Sequence, residues 1–282
     1  MIRKLSEFIL FGSVFISLCA VAMCIETNLL LHLKLNSISF YSFVFGATLV
    51  QYNLHYIVKK SAVQNSLRLS WSLKSKQVHK ALILAGFAMI IVSLFSFRLH
   101  HLIFLSVLGV IAFLYSFPFL PNKKRIKDLG LLKIITLSLL WTLVTVWFPA
   151  DQLNFSGFTF QLIFFRRFIF MFVLCLLFDI RDAEVDRSEN ISTLAVVIGT
   201  RRSYILCYIL LLAFVLLSLV QFLHVADTAQ LACMLISAVA TAFTIEFSKK
   251  NSSDIIYLAL VDGMMLLQAL LVIFASQILK SH

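Results

Sequence analysis

The sequence predicts an all-α polytopic membrane protein, a single domain over 1–282 built as a nine-transmembrane-helix bundle. Three observations lead there. Of its 282 residues, 61% are hydrophobic and the mean hydropathy is +0.98, more apolar surface than a soluble interior of this size can hide. The apolar residues form continuous runs of about 18–22 rather than an alternating pattern, so helices and not barrel strands cross the lipid. Lysine and arginine gather in the short segments between alternate runs, as the positive-inside rule requires of a cytoplasmic side.

The first span, about 8–31, follows Arg3 and Lys4. It reads as a retained span, because its apolar stretch is long and lacks a small-x-small cleavage site. The others fall at about 38–58, 80–97, 102–118, 129–149, 160–180, 203–223, 229–247 and 255–277. Pro118 closes the fourth, since proline cannot continue the helix ladder. The two substantial connections are 59–79 and 179–202. With the N-terminus in the cytoplasm, 18 lysines and arginines lie on the cytoplasmic side and 3 (Lys34, Arg98, Lys280) on the other. Both long loops are then cytoplasmic and the C-terminus lies opposite. In a bacterium this would be the inner membrane.

The net charge of +11 is explained by these loops, so no nucleic-acid partner is expected. Membrane lipid is. The five cysteines lie within apolar runs and form no CxxC pair, which suits small core residues. The 28 phenylalanines could wall an apolar cavity or face lipid.

The chemistry concentrates at Phe178-Asp179-Ile180-Arg181-Asp182-Ala183-Glu184-Val185-Asp186-Arg187, directly after the sixth apolar run. On a helix Asp179, Asp182 and Asp186 share one side. Mg²⁺ is commonly held by one or two carboxylates plus substrate phosphate oxygens, so the cluster reads as a metal–phosphate site. The competing reading is a salt-bridged helix cap. Tyr115-Ser116-Phe117-Pro118, followed by the basic run 123–127, is a second constellation, or simply an interfacial anchor. Within the spans, Lys133 either pairs with the aspartates or snorkels to headgroups. Asp262 faces the bundle, as an interhelix partner or a contact to substrate. Arg166 and Arg167 read as anchors at the outer headgroups, and Glu26 as interfacial.

The aspartate segment, continuing into Ser192-Thr193-Leu194-Ala195-Val196-Val197-Ile198-Gly199, resembles the UbiA-type intramembrane prenyltransferases. That superfamily carries a second aspartate motif of the form DxRDxxxD and then a T-L-x-V-x-x-G segment. The Tyr-Ser-x-Pro corner and the nine-span topology are similar too. The resemblance implies a helical bundle around a cavity open to lipid. It implies transfer of a prenyl group from an isoprenyl diphosphate to a lipophilic, possibly aromatic, acceptor, with Mg²⁺ on the diphosphate. On this chain Asp182 and Asp186 would hold Mg²⁺ and Asp179 would support them. Arg181 would pair within the cluster or touch diphosphate. Asn53, Lys59 and Lys133 would line the cytoplasmic mouth, with Tyr115 near the diphosphate.

The family's first motif, roughly NDxxDxxxD, is degenerate here. Asn53 is kept, but its aspartate positions fall on Leu54, Ile57 and Ser61, and no carboxylate occurs from 35 to 127. The basic residue expected before the Thr-Leu segment is replaced by Glu189-Asn190-Ile191-Ser192. Three readings stay open. One is a transferase with altered chemistry, in which Lys59, Lys60 or His55 meets phosphate directly. Another is a non-catalytic binder of isoprenoid, quinone or lipid. The third is an accessory membrane protein.

Overall fold

The computed structural model describes residues 2–58, 67–116, 129–150 and 157–281. These residues form helices and no strand. In chain order they are α1 (Ile2–Phe11), α2 (Val14–Leu30), α3 (Ile38–Val58), α4 (Leu67–Lys74), α5 (Lys76–Leu94), α6 (Leu99–Ser116), α7 (Gly130–Thr142), α8 (Phe158–Ser188), α9 (Leu194–Ile198), α10 (Thr200–Val225), α11 (Thr228–Ser248), α12 (Asp254–Ile256) and α13 (Gly263–Ser281). A π turn, Leu143–Trp147, continues α7, and a second, Tyr257–Val261, joins α12 to α13.

Among the described residues, six helical stretches are long and apolar enough to cross a membrane, and the pair α1/α2, bent by 57°, makes a seventh if counted as one span. Against the nine spans expected, the difference is α3 and α8. Helix α8 is the centre of the bundle: Phe170, Val173, Leu176 and Leu177 are fully buried. Helices α5 and α6 lie outside, with Leu84, Val92, Phe95 and Leu99 well exposed on faces suited to lipid.

Close backbone approach sets the pairing of α3 with α5. A Cβ added at Gly46 would lie 2.8 Å from the Gly86 carbonyl oxygen, and one at Gly86 would lie 2.7 Å from Val50 Cγ2. Small residues at a crossing let two helices touch where the membrane supplies no hydrophobic drive between them. Helix α2 packs against the first π turn and against α13. Thr27 Oγ1 donates to the Thr145 carbonyl at 2.6 Å, and Cys24 Sγ to that of Val144 at 3.5 Å. Cys19 Sγ reaches the Asp262 carbonyl at 3.6 Å, after the second turn.

Two expectations change. Helix α8 runs through Ser188, so the connection expected from 179 begins only at Glu189 and contains α9. The helix can continue because its carboxylates are partnered by cations. Its 31 residues measure about 46 Å, well beyond the hydrocarbon thickness. Arg166 and Arg167 are not headgroup anchors. Each is 3% exposed, and Glu26 is wholly buried. Arg167 Nη2 meets Glu26 Oε2 at 2.8 Å, and Arg166 donates to Gln221. These residues face the bundle, where an unpaired charge is prohibitive and a paired one is tolerated.

Candidate active site

The aspartates sit on the last turns of α8, opposite the start of α7. Gly130 opens α7 with φ +48°, a left-handed conformation that favours glycine. A Cβ there would lie 2.3 Å from the Ser192 carbonyl oxygen. The beginning of α7 is thus pressed against the segment that follows α8, and Lys133, one turn on, faces the aspartates.

Lys133 Nζ lies 2.7 Å from Asp179 Oδ1 and 3.9 Å from Asp186 Oδ2. Side-chain exposure is 22% for Lys133, 3% for Asp179 and 13% for Asp186. Two carboxylates two turns apart therefore share one ammonium, and snorkelling is excluded as the role of Lys133. Asp182 does not join them. Arg181 Nε donates to Asp182 Oδ1 at 2.7 Å and Arg181 Nη2 to Oδ2 at 3.1 Å. Helix geometry separates the roles: at about 100° per residue, Asp186 falls some 20° from Asp179 in azimuth and Asp182 some 60°.

Arg181 also lies 3.5 Å from Asp254 Oδ1. Its guanidinium stacks 5.1 Å from the Phe178 ring centroid and 5.0 Å from that of Tyr257. Asp254 Oδ2 accepts from the Arg68 backbone N–H at 3.0 Å, which ties α4 to this flank. Arg68 and Arg181 supply the positive charge near Asp262, whose side chain is buried at the base of α13. Sequence reasoning missed Asp254 and Arg68. For Asp254 a signal existed: it is the single carboxylate between Glu246 and Asp262.

The remaining expected residues sit elsewhere. Asn53 is fully buried. Its Nδ2 donates to the carbonyls of Gly12 at 2.9 Å and Leu49 at 2.8 Å, and its Oδ1 pairs with His79 Nδ1. It thus braces the α1/α2 break against α3 and α5 and is not brought to the aspartates. Tyr115 is half-buried in the last turn of α6, next to Ser116, which accepts from Gln51 Nε2 of α3 at 2.8 Å. Lys59 lies outside the described residues, as do Lys60, Pro118 and the basic run 123–127.

The donor set can be tested against Mg²⁺. Asp179 Oδ2 and Asp186 Oδ2 are buried with no hydrogen-bond partner. Among the described residues no three Asp, Glu, His or Cys side chains converge on one metal position. The pair offers two carboxylates and leaves the rest of an octahedron to outside ligands, which fits a cation that arrives with phosphate oxygens. Burial, reinforced by Asp182 and Asp179, pushes the Asp186 carboxyl up to about 6, against the opposing pull of Lys133.

A family model described as the UbiA prenyltransferase family matches residues 68–268, and the chain belongs to that family. Comparison with the curated proteins gives no match. Among solved structures, a UbiA homolog from Archaeoglobus fulgidus bound to GPP and Mg²⁺ is similar, with a TM-score of 0.69 at 12% identity over 97% of this chain and 99% of that one. The same homolog bound to DMAPP and Mg²⁺ gives 0.63 at 12% identity, again over 97% and 99%. A digeranylgeranylglyceryl phosphate synthase structure gives 0.59 at 13% identity over 98% and 97%. At these identities the likeness establishes a shared fold.

Proposed function

We propose that this protein is an intramembrane prenyltransferase that works with its second aspartate motif alone, moving a prenyl group from an isoprenyl diphosphate to a lipophilic acceptor. The observation that carries the reading is the Asp179–Lys133–Asp186 arrangement, a buried carboxylate pair bridged by one ammonium at the end of the central helix. Family membership supports the reaction class.

Asp179 and Asp186 would hold Mg²⁺, with Asp182 beside them. Bound there, the ion would offset the charge that develops on the departing diphosphate. Lys133 adds a compact cation that can contact phosphate directly. Arg181 holds Asp182 in place through a two-point contact and is itself fixed between Phe178 and Tyr257. The acceptor would capture the allylic cation that forms as the diphosphate departs.

The missing carboxylates at 54, 57 and 61 favour a second reading, an isoprenoid or lipid binder without transfer. Equilibrium binding of geranyl diphosphate to protein in nanodiscs, with and without Mg²⁺, tests the site. Mg²⁺-dependent binding that Asp186→Asn weakens at least tenfold is expected. Prenyl transfer to a panel of lipophilic acceptors then separates enzyme from binder. No Mg²⁺-dependent binding would end the transferase reading.

A further inference from the structure

We propose that Lys133 is a displaceable internal cation that makes metal binding at the aspartates conditional on the diphosphate. The inference rests on the function proposed above and concerns the order in which the site fills.

The ammonium of Lys133 occupies the ground between the two carboxylates, at 2.7 Å from Asp179 and 3.9 Å from Asp186. A Mg²⁺ bound to the same carboxylates would sit about 2.1 Å from their oxygens. Two cations cannot share so small a space, so the ammonium must leave before the metal enters. The start of α7 has no room to shift towards Ser192, whose carbonyl oxygen a Cβ on Gly130 would meet at 2.3 Å. What can move is the flexible four-carbon stem of the lysine.

The displaced ammonium needs a new anion. Asp182 is taken by Arg181 at two points, and Asp254 by Arg181 and the Arg68 backbone. A diphosphate arriving with the metal supplies that anion at the right place and time. Metal alone would have to push the ammonium off both carboxylates without bringing it a replacement anion. Without ligand, the ammonium keeps two buried carboxylates from repelling each other. With ligand, it becomes a phosphate contact. Lys133 is thus a positioning residue in the free protein and a substrate contact in the loaded one.

The probe is Mn²⁺, read by electron paramagnetic resonance on purified protein in nanodiscs. The wild type should bind Mn²⁺ weakly on its own. Lys133→Met should bind it at least roughly tenfold more tightly, a change of about 1.4 kcal/mol, and Asp186→Asn in that background should abolish the gain. Thermal unfolding checks that the variant is folded, and Lys133→Gln replaces it if it is not. Geranyl diphosphate added with Mn²⁺ should give protein-bound metal in the wild type. Tight binding of Mn²⁺ alone by the wild type, or equal affinity in wild type and variant, would overturn the proposal and leave the transferase reading standing. Absence of bound Mn²⁺ in every protein, with or without geranyl diphosphate, would remove both.

Discussion

At the scale of single residues, this protein manages charge inside a membrane by two different means. Away from the aspartates, Glu26 and Arg167 neutralise each other with side-chain exposures of 0% and 2%. Removing one partner of such a pair strands the other, a loss of about 3–5 kcal/mol. Glu26→Gln should therefore lower the thermal unfolding midpoint in detergent sharply, and Arg167→Met added to it should recover much of the loss. At the aspartate end of α8, burial pushes the Asp186 carboxyl up to about 6, from about 4 for an ordinary aspartate. Protonation removes a ligand, so Mn²⁺ retention in the presence of geranyl diphosphate should fall as pH drops through about 6, the sign expected of a carboxylate raised by burial. Retention unchanged down to pH 4.5 would contradict this. The carboxylate cluster was legible in the sequence because its spacing is local. The burial of Arg166 and Arg167 was not, because a run of apolar residues gives depth along a helix but not which side faces the bundle.

At the scale of elements, the crossing of α3 and α5 is the most exposed to damage. Gly86→Ala places a methyl 2.7 Å from Val50 Cγ2 and 2.8 Å from the Gly46 carbonyl. A side chain can shift but a backbone carbonyl cannot easily, so a cost of about 1–3 kcal/mol is expected. The same substitution at Gly109, which has nothing within 4 Å, is the control, and unfolding midpoints compare the two. The helices themselves were readable from apolar runs, to within a few residues at most ends. The aspartate spacing suggested helix beyond Asp179, but the full extension of α8 to Ser188 was not legible. Its last turns are polar and resemble a loop by composition, and only the cations contributed by α7 and by Arg181 itself make them helix. The π turns left no trace in the sequence, since an extra residue in a helix changes no composition.

For the whole molecule, the shape shared with UbiA homologs at 12% identity reflects constraints that act on the bundle more than on any residue. The charge bias of 18 to 3 predicts that the N-terminus, the Asp179–Asp186 face and the loop carrying α4 lie in the cytoplasm. Reporter fusions active on one side only should place the C-terminus on the other. A C-terminal reporter active in the cytoplasm would break the assignment. The family could be read from about twenty residues around the motif, and the general topology from apolar runs and charge bias along the chain. The flank built by Asp254 and Arg68 could not, because it joins segments almost two hundred positions apart in the chain.

The π turns make chain length itself part of the site. One extra residue in a helix shifts the phase of everything beyond it by about 100°. The turn at Leu143–Trp147 therefore sets the phase between α7, which aims Lys133, and the contacts that Val144 and Thr145 make with α2. The turn at Tyr257–Val261 does the same between Tyr257, stacked on Arg181, and Asp262. A chain shortened by a single residue in the first turn would keep every polar group of the site and still point Lys133 away from Asp179. Conversely, a one-residue deletion in each turn would leave two regular helices and rotate both flanks of the aspartates at once.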